Sequence, residues 1–200
     1  MTWIRPPGPV GPRLTIGLLG GSFNPAHAGH RYVGEVAKKA LGLSAVWWLV
    51  TPGNPLKRAS ELADLLTRMA FAAQAAGRGG IVTDIESRLG TRYTVDTVRA
   101  LLRRFPHTRF VWLMGSDNLA GFGRWKDWVL LARLLPIVVV RRPGSALDTL
   151  KSPLVRRFGQ VRRLGAAPSV LLLDGPRCVQ SSTALRAGSL PSALEPRLIA

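Results

Sequence analysis

Thr15-Ile16-Gly17-Leu18-Leu19, followed by Gly20-Gly21-Ser22-Phe23-Asn24-Pro25-Ala26-His27-Ala28-Gly29-His30, is an apolar run that breaks on a glycine pair and passes into a helical pattern. Thr15 to Leu19 is short and nearly all apolar, as expected of a strand covered on both faces. Gly29 to Leu41 sets Val33, Val36, Ala37, Ala40 and Leu41 on one side, the period of an amphipathic helix. Glycines at a strand end let the backbone approach a ligand closely. A helix starting near Gly29 turns its free N–H groups and positive dipole end toward the same point. That combination favours a phosphate. The loop is not a P-loop, because G-x-x-x-x-G-K-[ST] is absent. It also lacks the G-x-G-x-x-G spacing, and the second apolar run ends in Thr51-Pro52-Gly53 rather than in an acidic residue for a ribose.

Outward from this loop the pattern repeats. Ala45 to Val50, Ile81 to Thr83, Phe110 to Met114, Ile137 to Val140 and Val170 to Leu173 read as strands, and Glu61 to Ala76 and Thr94 to Phe105 as helices. Strands alternating with helices predict βαβ units: an α/β, Rossmann-like, doubly wound parallel sheet with helices on both faces. Ligands then bind outside the carboxyl ends of the strands. Residues 1–13 carry four prolines without a period and read as an irregular leader outside the core; residues 14–200 read as one domain. Ser145 to Pro168 reads as loops and short helices, and no internal repeat is visible.

Composition narrows the class. With 46% hydrophobic and 20% charged residues the chain can bury a core, which excludes a disordered protein. Cys178 is the single cysteine, so an intrachain disulfide and a cysteine zinc site are excluded, and a reducing compartment is the simplest reading. No apolar run approaches the ~20 residues of a membrane span. Arg5 and Arg13 before Leu14 to Gly20, with Ala26-His27-Ala28 after it, formally match a signal peptide; the short, glycine-containing run argues against one. The net charge of +17 attracts polyanions without choosing among nucleic acid, anionic lipid and phosphorylated small molecules.

His27 and His30 stand three apart at the mouth of the first helix. A metal site is poorly supplied, since His107 and Cys178 are the only other ligands of the usual zinc types. Two readings remain: capping or core histidines, or imidazoles that donate hydrogen bonds to a phosphate.

GGSFNPAHAGH resembles the HxGH nucleotidyltransferase signature and, among those families, is most similar to bacterial nicotinate-nucleotide adenylyltransferase. Pro52-Gly53-Asn54-Pro55-Leu56-Lys57 is similar to that family's P-x-x-N-P-x-K loop. Asp84-Ile85-Glu86 through Tyr93-Thr94-Val95-Asp96-Thr97 resembles its D-x-E…S-Y-T-x-D-T stretch, with Arg92 where serine is common and Thr94 as a candidate helix cap. Gly115-Ser116-Asp117-Asn118-Leu119 with Phe122, Trp125 and Trp128 resembles its G-x-D-x-L…F…W-x-x-W block. Gln180-Ser181-Ser182-Thr183-Ala184-Leu185-Arg186 resembles the superfamily's I-S-S-T-x-x-R motif.

The resemblance implies adenylyl transfer from ATP to nicotinate mononucleotide, in the cytoplasm, with Mg²⁺ carried on the ATP phosphates and no nucleic-acid or membrane partner. It assigns charge stabilisation to His30 and His27, and ATP to Gly20, Gly21, Ser22, Phe23, His27, His30, Lys57, Gly115, Asp117, Ser181, Ser182, Thr183 and Arg186. The acceptor falls to Asn54, Tyr93, Thr94 and Trp125, with Trp125 stacking on the pyridine and backbone N–H groups near Tyr93 and Thr94 reading the carboxylate. Arg92 is expected to face outward and Trp128 to pack. Nicotinamide mononucleotide or phosphopantetheine as acceptor is the nearest alternative. A basic RNA-binding or membrane-surface protein is the alternative from another class; the scattered arginines and the missing RNP1 signature argue against it. Oligomeric state is not legible.

Overall fold

The computed structural model describes residues 4–53, 62–141, 149 and 151–175. The expectations for Asn54, Lys57, Ser181, Ser182, Thr183 and Arg186 lie outside the described residues. Six parallel strands form one sheet: β1 (Thr15–Gly21), β2 (Ala45–Val50), β3 (Ile81–Thr83), β4 (Arg109–Gly115), β5 (Ile137–Val140) and β6 (Val170–Leu173). Their order is β3-β2-β1-β4-β5-β6, so the chain reverses direction across the sheet between β1 and β4. In a doubly wound sheet that switch point opens the ligand crevice.

The helices are α1 (Ala28–Leu41), α2 (Leu65–Ala76), α3 (Ile85–Leu89), α4 (Thr94–Arg104), α5 (Leu119–Phe122), α6 (Trp128–Leu134) and α7 (Pro153–Phe158). Alternation along the strands sorts the core into two layers. Val46, Trp48 and Val50 of β2 face α1 and α2 together with Val111, Leu113, Val138 and Val140. Ile16, Leu18, Trp47, Leu49, Phe110, Trp112 and Met114 face α4 and α6. All six residues of β2 are buried, which is why its sequence reads as a continuous apolar run rather than an alternating one.

Two boundaries differ from the sequence reading by more than one residue, and one cap differs. β1 runs two residues further, with Gly20 and Gly21 paired to Leu49 and Val50. α2 begins at Leu65 rather than Glu61, because the Asp64 carboxylate caps it by accepting from the Thr67 N–H at 3.0 Å. Thr94 is the first residue of α4 and not its cap: Tyr93 holds that position, with no side-chain cap bond. Residues 4–13 carry no helix or strand, and they are seated on the core. Val10 and Leu14 pack against the α4 layer, the Gly11 N–H donates to Thr108 Oγ1 at 2.9 Å, and the Arg5 carbonyl accepts from Arg88. Val10, a lone apolar residue among prolines and glycines, carries no signal of this in the sequence.

Candidate active site

β1 delivers the loop to the carboxyl edge of the sheet, and its glycines are required by what lies beside them. A Cβ on Gly20 would stand 2.5 Å from Cη2 of the buried Trp112 ring. The chain then turns through Phe23, a non-glycine residue with φ of +49°, which costs on the order of 1–2 kcal/mol. Burial holds it there. The Phe23 ring is packed against Trp48 at 5.3 Å and against the edge of His30 at 5.0 Å, so the residue offers a ligand its backbone only.

His27 is the N-cap of α1, so the capping reading of the histidine pair is the one the structure shows. His27 Nδ1 accepts from the Gly29 N–H at 3.0 Å, while the His27 N–H donates to His30 Nδ1 at 3.3 Å. This is a capping box built from two imidazoles. The rings lie 3.9 Å apart. Because each Nδ1 accepts a backbone N–H, the proton of each neutral ring sits on Nε2, making Nε2–H the donor. The first turn of α1 has no acidic residue to cancel its dipole. Capping therefore fixes the tautomer, with His27 itself only 3% exposed at the positive end of the helix.

Gly115 closes β4 directly across the switch point, and Asp117 follows it in a 3₁₀ turn. Aromatic residues follow in the chain after this turn and precede α4. Trp125 is half-buried, held edge-on by Trp112 at 6.0 Å and by Phe122 at 5.1 Å. Tyr93, 38% exposed, carries the Lys126 ammonium 4.4 Å over its ring, and the same ammonium meets Asp96 at 3.3 Å. Lys126 thus ties the start of α4 to the loop of Trp125. Arg92 is exposed, and Trp128 packs on Phe122 and Phe158, as expected of Trp128.

Sequence reasoning missed the buried Arg68, and it placed Glu86 in a motif without giving it a role. Arg68 lies on the inner face of α2 with Ala72 and Ala75; an arginine on an otherwise small, buried stripe was the available signal. Glu86, in α3, is buried, and its carboxylate accepts from Thr97 Oγ1 at 3.3 Å with the Thr51 hydroxyl also bonded to it. Burial pushes the Glu86 carboxyl up from the ordinary carboxylate range, and the two hydroxyls offset this only in part. A raised folded-state pKa contributes stability that is full below the ordinary carboxylate range. It is lost as pH rises through the folded value. Glu86→Gln, which cannot ionise, is therefore expected to match the wild type in acid and to melt at a higher temperature at neutral pH. Thermal denaturation between pH 4.5 and 8 checks this, and parallel melting curves for the two proteins would contradict it.

Residues 18–188 match the cytidylyltransferase-like family. A relative from Agrobacterium fabrum named probable nicotinate-nucleotide adenylyltransferase is 46% identical over 183 residues, covering 86% of this chain and 98% of its own. One of the same name from Parvibaculum lavamentivorans is 48% identical over 185 residues, covering 88% of this chain and 92% of its own. Among solved structures, Plasmodium falciparum nicotinic acid mononucleotide adenylyltransferase complexed with NaAD superposes with a TM-score of 0.68. The match covers 88% of this chain and 83% of that one at 18% identity, a likeness of fold. With the parallel sheet, the imidazole pair at its switch point and nearly half of the residues shared along the length of its relatives, the chain belongs to the cytidylyltransferase-like family and, within it, to the nicotinate-nucleotide adenylyltransferases.

Proposed function

We propose that the chain transfers the adenylyl group of ATP to nicotinate mononucleotide, giving nicotinate adenine dinucleotide and pyrophosphate, a step of NAD biosynthesis in the cytoplasm. The observation that carries this is the imidazole pair, 3.9 Å apart, capping an α1 N-terminus that has no acidic residue in its first turn. An oxygen of the 5′-phosphate attacks the α-phosphorus of ATP in line, and the bond to the β-phosphate oxygen breaks. The attacking group is already ionised at neutral pH, so the protein contributes position and charge stabilisation and no nucleophile of its own.

His30 donates from Nε2 to the α-phosphate as charge develops, and His27 supports the triphosphate. Gly20, Gly21, Ser22 and Phe23 offer backbone to the phosphates, and Gly115 and Asp117 meet the adenosine. Lys57, Ser181, Ser182, Thr183 and Arg186 complete the triphosphate side in this reading, and Asn54 the acceptor side. The first-turn N–H groups of α4 at Tyr93 and Thr94, not capped by the Tyr93 side chain, suit the acceptor's carboxylate. Trp125 suits its cationic ring.

The groups gathered at the β1 loop are N–H donors, a set that suits phosphate oxygens rather than a divalent cation. Among the described residues there is no cluster of three or more His, Cys, Asp or Glu placed to hold a metal. Mg²⁺ therefore belongs on the phosphates with its own waters. When bound it neutralises charge on the leaving pyrophosphate. No helix among the described residues is long and apolar enough to cross a membrane, and neither a membrane nor a nucleic acid enters this reading.

Product identification by mass spectrometry tests it. The purified protein is incubated with ATP, Mg²⁺ and, separately, nicotinate mononucleotide, nicotinamide mononucleotide and phosphopantetheine. Nicotinate adenine dinucleotide is expected to form well ahead of the other products. A different winning acceptor would overturn the assignment of Tyr93 and Trp125, and no product from any acceptor would overturn the reaction.

A further inference from the structure

Arg68 is 2% exposed, and the partners of its guanidinium are all main-chain carbonyls. Nε donates to Ala63 O at 2.8 Å, Nη1 to Ser22 O at 3.0 Å and to Thr51 O at 2.6 Å, and Nη2 to Pro52 O at 3.2 Å. Four of its five N–H donors are thereby committed. Among the described residues Arg68 takes part in no ion pair within 4.0 Å; the Asp64 carboxylate accepts from the N–H and hydroxyl of Thr67 and acts on Arg68 only through space. A buried arginine normally has a carboxylate partner. This one holds its positive charge against three carbonyls that belong to the two loops leaving β1 and β2.

The orientation of those carbonyls matters. A trans peptide is planar with its C=O and N–H pointing in opposite directions. The only cis peptides among the described residues are Asn24-Pro25 and Ala167-Pro168, so the Ser22–Phe23 and Pro52–Gly53 peptides are trans. Drawing Ser22 O and Pro52 O onto the guanidinium turns the N–H groups of Phe23 and Gly53 away from it. The same bonds neutralise carbonyl oxygens whose partial negative charge would otherwise oppose an anion at these loops.

We propose that Arg68 is a positioning residue for the triphosphate of ATP: it clamps the loops after β1 and β2 together, aims their amide N–H groups at the phosphates and places a positive charge behind them. This rests on the adenylyl-transfer reading. It assigns to the inner face of α2 a part in nucleotide binding.

The test uses Arg68→Met, which keeps the volume, and Arg68→Lys, which keeps the charge but loses the fork. Arg68→Met is expected to raise KM for ATP at least tenfold while KM for nicotinate mononucleotide changes less than threefold, with Arg68→Lys between it and the wild type. If Arg68→Met does not fold, Arg68→Lys carries the test with a severalfold rise confined to ATP. A purely structural arginine would lower the melting temperature and leave the ratio of the two KM values unchanged, and that result would overturn the proposal. Calorimetric binding of inorganic tripolyphosphate needs no acceptor, so it separates this proposal from the reaction itself. Weaker binding to both variants supports the clamp even if another acceptor is used, and unaltered binding refutes it.

Discussion

His30→Ala is expected to lower turnover by about 10²–10³ while the protein stays folded, the loss typical of one preorganised donor at a developing charge. The geometry makes a competing explanation calculable. His30 Nδ1 also accepts from the His27 N–H, so the substitution removes half of a capping box. A cap contributes about 0.5–2 kcal/mol to stability, whereas the expected rate loss corresponds to roughly 2.7–4 kcal/mol in the barrier. The larger effect therefore lies in kcat, and a drop of several degrees in melting temperature accompanies it without accounting for it. His30→Asn offers a second check: its amide oxygen can accept from the His27 N–H and recover part of the cap, while the N–H is no longer where the imidazole Nε2 stood. Turnover is expected to remain low as stability recovers. A folded His30→Ala enzyme with wild-type turnover would remove His30 from the chemistry.

The parts of this molecule that were legible in the sequence share one property: they depend on neighbours along the chain. The strands Ala45 to Val50 and Ile137 to Val140 are bounded as their apolar runs are, and β6 likewise, because a strand covered on both faces needs no pattern beyond continuity. The glycine pair and the HxGH turn were readable because a strand end, a loop and a helix start follow each other without interruption. What was not legible depends on contacts across the chain. Nothing near Arg68 in sequence announces that Ser22 and Thr51, 46 and 17 residues away, supply its acceptors. Nothing near Val10 announces that the leader covers the edge of the α4 layer. The α2 start was misplaced for a local reason instead: an apolar period marks the face of a helix and not its cap, and Asp64 decided the boundary.

Trp125→Ala is expected to raise KM for nicotinate mononucleotide by about tenfold to a hundredfold, the loss typical of one aromatic stacking platform, with KM for ATP nearly unchanged. The ring can act as a platform because its place is fixed before any ligand arrives. Trp112 meets it edge-on at 85°, Phe122 supports it from α5, and Trp112 is itself held where it is by the missing side chain of Gly20. Trp125→Phe keeps a smaller ring on the same support, so a rise of only a few-fold is expected there. Trp128 supplies the control. Its ring packs against Phe122 at 6.0 Å and Phe158 at 6.3 Å, so Trp128→Phe is expected to lower the melting temperature and leave both KM values alone. If Trp125→Ala and Trp128→Phe behave alike, with stability lost and acceptor affinity kept, Trp125 is a packing residue and the acceptor ring lies elsewhere. If KM for ATP rises instead, Trp125 belongs to the adenine, and the two nucleotides exchange places across the switch point between β1 and β4.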